Sequence, residues 1–165
     1  MAVEPALHPD VESLAFLLGT WAECGRGVYP TIEPFDYDET VQFAHVAKPF
    51  LSYTRRSKHA TEGRPLHGES GYWRHASPSA VELVLAHPTG VVEVQQGTVA
   101  RTASGATIFL VSTVVAGTST AKSITAVERD FAVERRCASV RTAHCGRRPA
   151  TAAASDRSPR PSAMT

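Results

Sequence analysis

The sequence predicts an all-β protein, an antiparallel meander that closes into a barrel behind one short N-terminal helix. Three observations carry this. Segments rich in β-branched and aromatic residues recur along the chain (ETVQFAHV, PFLSYTRRS, GESGYWRH, AVELVLAH, VVEVQQGTV, ATIFLVSTVV and TAKSITAVERDFAV), each bounded by Gly, Pro or Ser turn chemistry. Within them apolar character alternates, as in Val41, Phe43 and His45 against Gln42 and Ala44, or in Val81, Leu83 and Leu85. The links HASPSA, HPTG, TASG and VAGTS are short enough only for antiparallel neighbours, because parallel ones need crossovers of about a dozen residues. Half-buried strands in such a series commonly close into a barrel, which removes their edges.

The elements follow in order. Val11, Leu14, Ala15, Leu17 and Leu18 stand at helical spacing, with Asp10 as a candidate N-cap and Gly19 as the stop, so one short helix is expected over residues 10–18. Gly19, Gly25 and Gly27 then let a first strand twist and approach its neighbour closely. Trp21 reads as a plug for the barrel end. Pro30 and Pro34 mark a turn. The strands quoted above follow, and the last wall strand is expected within TAKSITAVERDFAV, where Ile124 and Ala126 alternate with Ser123 and Thr125.

Bulk properties narrow the class. A chain of 165 residues with 42% hydrophobic and 20% charged residues suits one domain with a modest core. No apolar run reaches the roughly 18 residues of a membrane helix, and Glu4, Asp10 and Glu12 stand where a secretory leader is basic. A cytoplasmic protein without a membrane partner is therefore expected. Cys24, Cys137 and Cys145 form no CxxC pair and read as ordinary thiols, not as a disulfide framework or a zinc site. The net charge of +1 conceals an asymmetry: residues 135–165 hold seven arginines against Asp156, which leaves residues 1–134 at −5.

Strand character stops at Phe131, the last aromatic residue. Residues 135–165 contain no Leu, Ile, Phe, Trp or Tyr, too little apolar surface to offset the entropy of ordering. The expected organisation is thus a barrel over 1–134 and a disordered basic tail over 135–165. The tail has no aromatic residue for base stacking, and no nucleic-acid partner is expected.

Three stretches carry a family resemblance. They are LLGTWAECGRGVYPTIEPFDYDE, QFAHVAKPFLSYTRRS with GRPLHGESGYWR, and VELVLAHPTGVVEVQQGT with TSTAKSITAVERDFAVE. Together they resemble the nitrobindin family, whose GxWxGxG signature lies in the first. Here Glu23 replaces the middle glycine. The resemblance implies a ten-stranded antiparallel barrel of the fatty-acid-binding-protein kind that holds haem b at its mouth, binds nitric oxide and isomerises peroxynitrite to nitrate. It also implies site residues: the motif positions Gly19, Trp21 and Gly25, the rim positions Thr31 and Phe35, His67 over one haem face, and Lys122 leaning inward. From the residues alone, His67 reads equally well as a loop histidine and Lys122 as a solvated strand lysine, while His45 and His87 read as hydrogen-bonded wall histidines.

One family element is absent from the sequence. Nitrobindins ligate iron through a histidine after the last strand, in a pattern like AVGxPLxxHLxA; here the only histidine beyond His87 is His144, in TAHCGRR. No metal ligand, catalytic residue or dependable cofactor is therefore expected. Read one nucleotide later, with suitable synonymous codons, residues 136–155 become GALRYGLRIAAVGQPLQxHL, which restores both a strand and the ligand motif, so the C-terminal end reads as frameshifted or diverged. The leading expectation is a nitrobindin-like barrel without assignable activity. The alternatives are a haem-dependent peroxynitrite isomerase and a barrel for a small apolar ligand.

Overall fold

The computed structural model describes residues 5–29, 32–134 and 140–143. Among the described residues nine strands follow a 3-10 helix (Pro9–Leu17): β1 Gly19–Tyr29, β2 Ile32–Ala44, β3 Leu51–His59, β4 Pro65–Ser77, β5 Ala80–Ala86, β6 Val91–Arg101, β7 Gly105–Gly117, β8 Glu128–Glu134 and β9 Val140–Ala143. They form one sheet in chain order, every neighbouring pair antiparallel. The expected all-β meander is what the chain forms.

The N-terminal segment is helical, as the spacing predicts, but as a 3-10 helix. Its cap is His8, whose Nδ1 accepts from the amide of Asp10 at 3.2 Å, where Asp10 itself was the expected cap. Pro9 at the first position removes a donor that would have had no partner. Val11, Leu14 and Leu17 face inward and are buried, and the indole of Trp21 donates to the carbonyl of Leu17 at 2.7 Å. Trp21 is half-buried against the core and ties β1 to the helix that covers this end.

Inside the sheet the alternation sorts side chains by face. Phe43, Tyr53, Trp73 and Phe131 meet there, with Trp73 5.7, 6.0 and 5.5 Å from the other three ring centroids, and Leu51, Val81, Leu83, Leu85, Ile108 and Leu110 fill around them. Gly71 and Gly97 let neighbours approach: a Cβ at either would overlap a cross-strand carbonyl oxygen, of Val84 or of Phe109.

Two expectations about the C-terminal part need correction. Residues 120–127 were read as the start of a strand, but β8 begins only at Glu128. A bulge at Thr113 in β7 shifts its register against β6, and Ser112 instead grips the incoming chain, its amide donating to the carbonyl of Val127 and its hydroxyl accepting from the Val127 amide, each at 2.9 Å. The second correction concerns the strand expected to be lost. Val140–Ala143 pairs with β8 in register Val133↔Val140 to Asp130↔Ala143, inside the segment expected to be disordered. The open edge of β8 offers backbone groups that pair with any extended chain, whatever its side-chain pattern. β9 passes near β1, but no ladder joins them among the described residues, so the sheet curls without completing the expected ten-stranded closure there. The rest of the tail, including His144, Cys137 and Cys145, lies outside the described residues.

Candidate functional site

The inward face changes character along each strand. On β2 it runs Phe43, Val41, Glu39; on β3 Leu51, Tyr53, Arg55; on β4 Trp73, Gly71, Glu69, His67; on β6 Gly97, Gln95, Glu93; on β8 Val133, Phe131, Arg129. Register sets Arg55 on β3 directly opposite Glu69 on β4. His87, directly after β5, continues the same face. One end of the interior is therefore apolar and capped by the 3-10 helix, and the other is a buried cluster of charges.

Glu69 is its centre. Oε1 accepts from the Tyr53 hydroxyl at 2.7 Å, and Arg129 Nη1 donates to Oε1 and Oε2 at 2.7 and 2.8 Å. The other Arg129 nitrogen, Nη2, reaches both oxygens of Glu93 at 3.2 Å, and Gln95 Nε2 donates to Glu93 at 2.6 Å. Arg55 pairs with Glu39 at 2.7 Å and lies 3.8 Å from Glu69. Two histidines complete the group. His67 Nε2 is 3.2 Å from Glu69 Oε2, and His87 Nε2 is 2.8 Å from Glu93 Oε1. Their rings are 5.4 Å apart.

Charges taken out of water need partners, and here they have them. Burial alone would raise the Glu69 pKa, but the His67 hydrogen bond, Arg129 and Arg55 outweigh it and hold the carboxyl far below the usual carboxylate range. Glu93 is likewise lowered: burial opposes ionisation, while His87 and Arg129 favour it more strongly. Burial, then the Glu69 charge, push the Tyr53 hydroxyl well above its ordinary value. Glu39, Glu69 and Glu93 carry three negative charges against two on Arg55 and Arg129, an excess of one.

The site residues expected from the resemblance fall in different places. His67 joins the charged cluster with its side chain 43% exposed, and the side chain of His87 beside it is largely covered. Phe35 on β2 stacks on His59 at 6.0 Å. Gly25 lies against the Tyr37 ring, and Gly19 opens β1 at φ +122°. Lys122 is exposed after β7 and lines a cleft of about 200 Å³ with Val91, Val115, Ala116, Ala121 and Ile124. The turn from His87 to Gly90 is joined to that region by the Thr118 amide, which donates to the Gly90 carbonyl at 2.9 Å. His45, just past β2, is half-buried, with Nδ1 3.5 Å from the Ala47 amide. Thr31 lies outside the described residues.

Sequence reasoning passed over Glu39, Tyr53, Arg55, Glu69, Glu93, Gln95 and Arg129. The available signal was parity: each stands at an even spacing from an apolar core residue on its own strand, so a charge there must face inward.

A curled antiparallel sheet with an apolar floor and a polar mouth defines the class of small barrels that receive a ligand at one open end. The chain belongs to the THAP4-like, heme-binding beta-barrel domain family, whose model matches residues 10–146. It is 50% identical over 125 residues to "Peroxynitrite isomerase 2" of Mycobacterium ulcerans (strain Agy99), covering 76% of this chain and 78% of that protein. To "Peroxynitrite isomerase" of Nocardia farcinica (strain IFM 10152) it is 48% identical over 128 residues, covering 78% and 76%. The crystal structure of Rv2717c from M. tuberculosis superposes with a TM-score of 0.72 at 45% identity, over 76% of this chain and 80% of that one. The nitrobindin resemblance and the barrel class stand on these matches. Among the described residues no helix is long and apolar enough to cross a membrane.

Proposed function

We propose that this protein is a nitrobindin-type barrel that takes a porphyrin or another small apolar ligand at its mouth but lacks the histidine that fixes haem iron in its family, so that it does not work as a peroxynitrite isomerase. The observation that carries this reading is in the sequence: after Phe131 the only histidine is His144, without the Pro-Leu and Leu that flank the family ligand. The described residues do not fit iron ligation of the family's kind, since the interior imidazoles of His67 and His87 turn toward Glu69 and Glu93. Lys122 at the rim of a cleft lined by both polar (Thr118, Ser123) and apolar (Val91, Val115, Ile124) residues suits a ligand with an acidic end, a porphyrin propionate or a fatty acid.

Haem titration of the full chain tests the reading. The expected outcome is weak binding without a sharp histidine-ligated Soret band. A stoichiometric complex with such a band overturns it; His144→Ala would then abolish the band if His144 is the ligand, and survival would point to His67. Bound lipid in native mass spectrometry would favour the apolar-ligand form. The second reading is a working haem-dependent isomerase. Relatives about half identical carry that name, and the family match runs on to residue 146. Conversion of peroxynitrite to nitrate by the haem-loaded chain would support it.

A further inference from the structure

We propose that His67, Glu69 and His87 form a site for one divalent transition-metal ion of the zinc class, bound directly by the protein. The inference does not rest on the haem reading.

The donor set and its spacing come first. One ligand atom from each of the three residues lies within 4.8 Å of the others. His67 Nε2 is 3.2 Å and His87 Nδ1 is 3.8 Å from the same oxygen, Oε2 of Glu69. Donors about 2.0–2.2 Å from a tetrahedral zinc stand about 3.3 Å from one another, so a small inward turn of the rings brings all three onto one ion. Two imidazoles and a carboxylate are a donor set for borderline divalent metals.

The second observation is the state of His87. Its side chain is only 6% exposed, and Nε2, although 2.8 Å from Glu93 Oε1, is out of alignment for a hydrogen bond and has no other partner. A ring turn that lets Nε2–H donate to Glu93 puts the lone pair on Nδ1, the nitrogen that faces Glu69. This is the carboxylate–histidine–metal arrangement, in which the outer carboxylate sets the tautomer and the ring direction. Arg129 anchors both carboxylates, holding Glu69 and Glu93 in place while Oε2 of Glu69 keeps a lone pair for the ion. The cluster's excess negative charge favours a cation. His67, exposed on one side, gives the ion a way in and leaves a fourth position open to water or to a ligand, as in catalytic zinc sites and unlike closed structural ones.

The test uses the untagged full chain free of haem, alongside a form with Cys24, Cys137 and Cys145 changed to serine so that thiolates do not compete. Zn²⁺ is titrated by calorimetry and Co²⁺ by visible absorption. We expect one equivalent bound in both forms, a rise in Tm with metal, and weaker binding as pH falls and the imidazoles protonate. His67→Ala and His87→Gln should each weaken binding about tenfold or more, while His59→Ala, on a histidine outside the cluster, should not. No saturable binding, or binding that survives both cluster substitutions, overturns the proposal. Should either variant fail to fold, imidazole NMR signals of the unaltered protein decide: paramagnetic shifts at His67 and His87 with Co²⁺ support the site, and their absence refutes it.

Discussion

Arg129 on β8 holds Glu69 on β4 through Nη1, at 2.7 and 2.8 Å from its two oxygens, across the interior between residues 60 positions apart. Removing one member leaves the other as an uncompensated buried charge. Arg129→Met or Glu69→Gln should therefore cost about 3–5 kcal/mol in urea unfolding. Arg129→Lys should recover part of the loss, since it keeps the charge but not the two-pronged geometry. Stability of all three variants unchanged from the unaltered protein would show that the cluster contributes nothing to folding.

Stability should fall in acid. Glu69 and Glu93 have folded pKa values lowered from their ordinary range. Their contribution is thus fully present above the unfolded carboxylate value of about 4.3 and is lost as pH falls through the lower folded values. Tyr53 works at the other end. Its folded pKa is raised, so its contribution is complete below about pH 10 and declines above it as the unfolded phenol ionises. Thermal melts across pH should show a plateau with both flanks, and Glu69→Gln should flatten the acid one.

Trp73 is fully buried among Phe43, Tyr53 and Phe131. Trp73→Ala should cost about 3–5 kcal/mol by leaving a cavity that the surrounding rings fill only in part. Denaturant midpoints at unchanged m-value would measure it.

Gly71→Ala and Gly97→Ala should be as damaging as much larger core changes, because the added Cβ meets the backbone of the next strand. Gly68→Ala, whose Cβ would meet the Pro88 ring at an ordinary 3.7 Å, is the matched control on the same strand as Gly71. Soluble yield and circular dichroism should separate the first two from the third.

The last prediction concerns the open side of the sheet. Ending the chain after Glu134 removes β9 and exposes the β8 edge, so the truncated protein should self-associate in size-exclusion chromatography. Replacing residues 136–155 with GALRYGLRIAAVGQPLQAHL should raise both Tm and haem affinity, by supplying an alternating strand and a histidine. If the graft raises neither, the C-terminal segment is not a corrupted copy of the family's end.

How far the sequence reached can be traced residue by residue. Val41, Phe43, Val81, Leu83 and Leu85 were legible as core because a strand's period of two is a local property. The strand order followed for a similar reason, since short links leave little choice but the next strand along. Where β8 begins was not legible. Ile124 and Ala126 alternate as well as any strand, but the Thr113 bulge on a neighbouring strand decides where pairing starts. Nor was β9, whose pairing depends on an edge made elsewhere.

The sequence by itself determined the all-β class, the antiparallel order, the helix at the N-terminal end and the family, because patterning, turn chemistry and motif spacing all act over a few residues. Only the tertiary structure decided that Glu39, Arg55, Glu69, Glu93 and Arg129 form one cluster, and that His67 and His87 meet over Glu69. Those contacts join strands far apart in the chain, and register and curl alone bring them within reach. A charge at an inward position announces only that it must find a partner. Which partner it finds depends on the geometry of the curled sheet's interior.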